Sequence, residues 1–113
     1  QIKKNKIISN KILIASIIII IFLWHGIIKY SIWKGISYYE NQKFTQSIRH
    51  LKLVTSIYPK KISKFHLMLA DMYYLIGDEE EAKKNAVIAN EINPNYNAPK
   101  EILYKINNSN EIK

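Results

Sequence analysis

The sequence predicts an all-α chain: an N-terminal transmembrane helix, two short helix-turn-helix repeats and a closing helix. Three observations lead there. Ile12 to Ile28 carries no charged side chain. Leu69, Ala70 and Tyr73 fall at i, i+1 and i+4, and Ala82, Ala86 and Ala89 at i, i+4 and i+7, so each set forms one stripe on a helix. Gly77 separates the stripes and Pro94 closes the second, and these are the two residue types that interrupt helices most strongly.

The chain has 113 residues and no cysteine. Neither disulfides nor a zinc-thiolate centre reinforces it, so a small domain must draw its stability from helix packing or from partners. The formal charge of +8 matters less than its distribution. Lys3, Lys4, Lys6, Lys11, Lys29 and Lys34 precede any carboxylate, the first of which is Glu40, whereas Gly35 to Lys113 is nearly balanced. The basic excess adjoins the apolar segment, which points to the lipid bilayer and its anionic headgroups as a partner and not to nucleic acid.

Residues 1–11 form a basic flank. Residues 12–28 form the transmembrane helix, which spans about 25 Å at 1.5 Å per residue, and Lys11 and Lys29 can snorkel to extend it toward the roughly 30 Å of hydrocarbon. Ile17 to Trp24 reads IIIIIFLW, and Trp24, Tyr30 and Trp33 place aromatic rings at the exit boundary. A signal peptide begins in the same way, but Trp24-His25-Gly26-Ile27-Ile28-Lys29 is bulky or charged apart from Gly26 and lacks the A-x-A-like pattern of a cleavage site. A buried core helix is the other alternative, and no further segment is apolar enough to surround it. The lysines before the span place the N-terminus in the cytoplasm and the repeats across the membrane, as in a bacterial inner membrane. Because the chain starts at Gln1 and not at Met, spans upstream would remove the force of that orientation. No breaker separates the span from the first repeat, which predicts one helix from Ile12 to Glu40, with Gly26 the place for any kink.

The first repeat, 28–59, contains Gly35, Tyr38, Phe44, Ser47, Leu51 and Val54, and ends at Pro59. In the second, 63–94, a helix from Ser63 to Ile76 meets the Gly77 turn. Asp78 then starts the next helix with Glu81 three residues on, a capping-box spacing with an acidic first turn. Glu79 with Lys83 and Glu80 with Lys84 add surface i,i+4 pairs. Asn93 and Pro94 end it. Residues 98–106, APKEILYKI, read as a capping helix with Pro99 in its first turn and Ile102 and Ile106 on one face, and 107–113 as a frayed polar tail.

This pattern of Leu69, Ala70, Tyr73, Gly77, Ala82, Ala86, Ala89 and Pro94 resembles the tetratricopeptide (TPR) repeat, whose unit is about 34 residues. The resemblance implies a short TPR-like α-solenoid, with Gly35, Tyr38 and Ser47 as the matching packing residues of the first repeat and Phe44 as the aromatic at the start of its second helix. Pro59 and Pro94 stand 35 residues apart, which puts one extra residue in the connection. The first repeat departs from the family at Lys34, where a large core residue is usual, and at Ser31, where Trp is preferred. By resemblance the concave, partner-facing positions are Ile32, Ile36, Tyr39, Leu67, Asp71 and Tyr74. The Lys/Asn pattern with which some family members clamp a C-terminal carboxylate is not matched, because Leu67 and Asp71 occupy those places. The bland alternative is that Tyr39, Leu67 and Tyr74 merely pack against neighbouring helices.

No catalytic constellation emerges. His25, His50 and His66 lack ligand-type partners at helical spacing, and HExxH, GxGxxG, P-loop and GxSxG motifs do not occur. Glu79 to Glu81 diverge on a helix, and the helix dipole explains them. The expectation is therefore a non-enzymatic scaffold without cofactor or metal, mediating protein–protein interaction in a membrane or envelope complex, with a complex subunit or a peptide as partner. Two alternatives stand beside it. One is the TPR-bearing C-terminal piece of a multi-pass glycan ligase or polymerase of the O-antigen type, and the other is a small accessory subunit held mainly by its transmembrane helix.

Overall fold

The computed structural model describes residues 2–58 and 61–112, so Pro59, Lys60 and the first-repeat boundary they mark lie outside the described residues. The fold is all-α, with α1 (Ile2–Glu40), α2 (Phe44–Ile57), α3 (Ser63–Leu75), α4 (Glu79–Ile92) and α5 (Ala98–Ile112). Among the described residues there is no strand. Contacts divide the chain into two units, Gln1–Tyr30 and Ser31–Lys113.

The first unit is helical from Ile2, so the basic flank belongs to α1 and does not precede it. No glycine or proline occurs before Gly26 to stop it. Residues 3–27 are all exposed, and the helix is long and apolar enough to cross a membrane. Its one mid-span hydroxyl, Ser16, donates to the carbonyl of Ile12 at 2.8 Å. The outer surface is therefore mainly hydrocarbon, and every interior backbone group of a helix is satisfied within it, the form that lipid tolerates.

In the second unit the helical assignment of α1 continues through Gly35 to Glu40. Its end and that of α3 are built alike. After α1, the amide of Lys43 donates to Tyr38 (2.8 Å), that of Gln42 to Tyr39 (3.0 Å) and that of Asn41 to Ser37 (3.1 Å). After α3, Asp78 donates to Tyr73 (2.8 Å), Gly77 to Tyr74 (3.1 Å) and Ile76 to Met72 (3.0 Å). Both are Schellman turns. Every donor and acceptor of the first recurs 35 positions later in the second, which makes the fold helical-repeat-like at the level of backbone hydrogen bonds. The left-handed residue is Gly77 (φ 91°) in one turn and Gln42 (φ 60°) in the other, and a non-glycine residue there costs about 1–2 kcal/mol.

The same offset relates the packing. Gly35 corresponds to Ala70, Ser47 to Ala82, Leu51 to Ala86 and Val54 to Ala89, and all eight are buried. A Cβ on Gly35 would stand 2.7 Å from Leu51 Cδ2 and 2.8 Å from its Cγ, so glycine is what allows α1 and α2 to approach. Ser47 uses that proximity, its hydroxyl donating to the Gly35 carbonyl at 2.6 Å. Lys34 corresponds to Leu69, which is core. Lys34 is half-buried, and its ammonium sits 5.1 Å from the Trp33 ring centroid and 5.7 Å from that of Tyr38. Cation–π contact thus lets a lysine occupy a position where its counterpart is apolar.

The α3–α4 hairpin is the centre of the core, with Phe65, Met68, Leu69, Met72 and Tyr73 buried against Ala82 and Ala86. Ser63 at the start of α3 donates to Ala89 near the end of α4 (2.9 Å), fixing the antiparallel register. Asp78 caps α4 by accepting from the Glu81 amide (3.2 Å). The Asp78 amide is engaged with Tyr73, so the reciprocal half of a capping box has no donor left. Pro94, grouped by sequence with the packing residues, is exposed; it acts on the backbone after α4 and not in the interface.

α5 packs on α4 and α3, burying Pro99, Ile102 and Ile106. It continues past Ile106 to Ile112, which corrects the expectation of a frayed tail from Asn107. Ser109 explains the extension, because its hydroxyl donates to Glu79 Oε1 at 3.0 Å and ties the end of α5 to the start of α4.

Candidate partner-binding site

A cleft of about 220 Å³ lies where the end of α1, the middle of α3 and α5 meet. Tyr39 occupies the last turn of α1, held by the Schellman turn behind it and by its ring against Phe44 (centroids 6.2 Å apart). Its hydroxyl crosses to α3 and donates to Asp71 Oδ2 at 2.9 Å. Burial raises the Tyr39 pKa above its usual value, and the hydrogen bond to Asp71 and the charge of that carboxylate raise it further. Tyr39 therefore stays neutral and remains the donor. Leu67 lies one turn before Asp71 on α3, where i and i+4 share a face, and Leu67 and Met68 supply an apolar wall.

The opposite wall is α5. Ala98, Glu101, Ile102 and Lys105 line the cleft, at i, i+3, i+4 and i+7, the spacing of one helical face. Sequence reasoning missed Ala98, Glu101 and Lys105 as cleft residues, although the spacing was there to find, because the apolar pair Ile102 and Ile106 draws attention to the core-facing stripe of this helix.

Of the six sequence-derived groove positions, the structure brings Tyr39, Leu67 and Asp71 into the cleft. Ile32, Ile36 and Tyr74 do not line it; they are partly buried and packed against the core. Tyr39 and Leu67 also touch the core, so packing and cleft-lining coexist at those two positions.

A second furrow runs between α2, α3 and α4, in adjoining hollows of about 450 and 230 Å³ that share Thr55, His66 and Ile88. Here Asn85 Nδ2 donates to the Glu81 carbonyl at 2.9 Å, which leaves Asn85 Oδ1 as the atom facing His66 Nδ1 at 3.1 Å. An amide oxygen only accepts, so Nδ1 of His66 carries the proton. His66 thus bridges α3 and α4. Its ring is a packing element, and among the described residues no group of three His, Cys, Asp or Glu side chains is placed to hold a metal.

No family model matches the chain, and no curated protein or solved structure matches it.

Proposed function

We propose that this chain is a membrane-anchored scaffold, not an enzyme, in which two TPR-like repeats and a capping helix hold a protein partner in the cleft between α1, α3 and α5. The observation that carries the reading is the cleft itself. Three separate helices converge on it, Leu67, Met68, Ala98 and Ile102 line it beside polar and charged side chains, and one hydrogen-bonded polar pair, Tyr39 with Asp71, is fixed in its wall. Apolar surface beside polar groups held in fixed positions is what recognition of a partner side chain uses. Repeat character is supported by the 35-residue recurrence of turn hydrogen bonds, close to the family's unit of about 34. The anchor is α1, whose exposed isoleucines require lipid. The lysines before the span favour a cytoplasmic N-terminus with the repeats on the far side of a bacterial inner membrane, where an envelope complex would supply the partner.

Photocrosslinkers at Leu67, at Leu53 on α2 and at Ile19 in the span test this. Crosslinking at Leu67, lost when Asp71→Lys is added in a variant of unchanged helicity, is the expected result. A product at Ile19 alone refutes the cleft as the partner site and leaves an accessory subunit held by its transmembrane helix.

A further inference from the structure

The Tyr39–Asp71 pair also defines the chemistry that the cleft accepts. Asp71 is partly buried, and Oδ2 is occupied by a neutral donor, the Tyr39 hydroxyl. Among the described residues the Asp71 side chain has no cationic partner. Asp71 Oδ1 is not among the buried atoms without a partner, so it is open to the cleft, and a carboxylate with one oxygen held by a neutral hydroxyl can take a charge-assisted hydrogen bond on the other. Across the cleft, Glu101 and Lys105 stand one turn apart on α5 in the order that favours mutual attraction. Two carboxylates, Asp71 and Glu101, against the one ammonium of Lys105 leave the lining with a net negative charge. At about 220 Å³ the space is below the range of roughly 300–1,000 Å³ that small-molecule sites occupy, and it suits one side chain.

We infer that the cleft receives a single cationic side chain, arginine or lysine, from the partner protein, its aliphatic stem on Leu67, Met68 and Ile102 and its charged head on Asp71. The inference rests on the cleft being the partner site. It gives Tyr39 a positioning role: by occupying Oδ2 it holds the carboxylate plane and directs the remaining oxygen to the incoming donor. Lys105 is a rim charge that disfavours the same ligand.

The test uses the full chain in lipid nanodiscs and two capped pentapeptides, acetyl-Ala-Leu-Arg-Leu-Ala-amide and the same peptide with citrulline in place of Arg, which keeps the shape and removes the charge. Binding is followed by the NMR signals of Asp71 and Ile102. The arginine peptide should bind about tenfold tighter than the citrulline peptide, one charge-assisted hydrogen bond's worth of preference. That preference should vanish in Asp71→Asn, which keeps an acceptor for Tyr39 and hence the fold, and should grow in Lys105→Ala. Equal binding of the two peptides overturns the inference and leaves the cleft as an apolar docking site. If neither peptide shifts the cleft signals, the inference falls while crosslinking at Leu67 still stands or falls by itself. A dimer that dissociates in Asp71→Asn would put a lysine of a second copy in the cleft, and would likewise overturn the assignment to a partner.

Discussion

Gly35 and Leu51 show how single side chains set the approach of two helices. In the second hairpin the corresponding pair is Ala70 and Ala86, two small residues, whereas the first combines no side chain with a large one, both buried. Replacing Gly35 by Ala adds helix propensity of about 1 kcal/mol but drives a Cβ into Leu51, an overpacking that costs about 1–3 kcal/mol. The single variant should therefore lose stability, and the same change in a Leu51→Ala background should be neutral or stabilising. A double-mutant cycle by urea unfolding measures that coupling, and additive effects would show that the contact does not limit the approach. Tyrosines 39 and 73 give a pH signature at the same scale. Burial raises both pKa values first, with Asp71 adding to Tyr39 and Glu81 and Asp78 adding to Tyr73. The unfolded chain releases these protons near pH 10, before the folded protein does. Stability should hold below about pH 10 and fall as the pH rises through the folded values. Denaturation at stepped alkaline pH should show that fall, shallower in Tyr39→Phe plus Tyr73→Phe.

Helix boundaries were legible in the sequence where chemistry punctuates them. α3 and α4 begin and end within a residue of the positions read from Ser63, Gly77, Asp78 and Asn93, because a left-handed glycine, an aspartate cap and a proline act locally. The turn after α1 falls between Glu40 and Phe44 as the repeat pattern placed it, although Gln42, which adopts φ 60° there, is not a residue type that signals such a turn. α5 was underestimated for a tertiary reason. Asn107 to Asn110 reads as polar and weakly helical, and only the contact between Ser109 and Glu79, 30 residues away, shows why the helix persists. Half of the cleft was equally hidden, since the α5 wall depends on how that helix lies on α3 and not on its own composition. Ile106→Ala should cost about 2–4 kcal/mol as a buried large-to-small change, and Ser109→Ala about 1 kcal/mol for a lost hydrogen bond. Urea unfolding checks both, and an inert Ser109→Ala would mean that the end of α5 carries no stability.

At the scale of the molecule, solvent requirements divide where the contacts do. The unit Gln1–Tyr30 exposes an isoleucine-rich helix, whereas Ser31–Lys113 encloses the core cluster. A fragment starting at Ser31 should be helical and cooperatively folded in water, while the full chain should need detergent or lipid. Circular dichroism and light scattering on the two distinguish these behaviours, and an aggregated or unfolded fragment would show that the first unit is needed for the second to fold. The matched turns after α1 and α3 carry a consequence of another kind. Two turns with the same hydrogen bonds 35 residues apart are one backbone geometry reached from different side chains. Gln42 stands where Gly77 does and Lys34 where Leu69 does, so turn geometry and packing position constrain this chain more tightly than residue type.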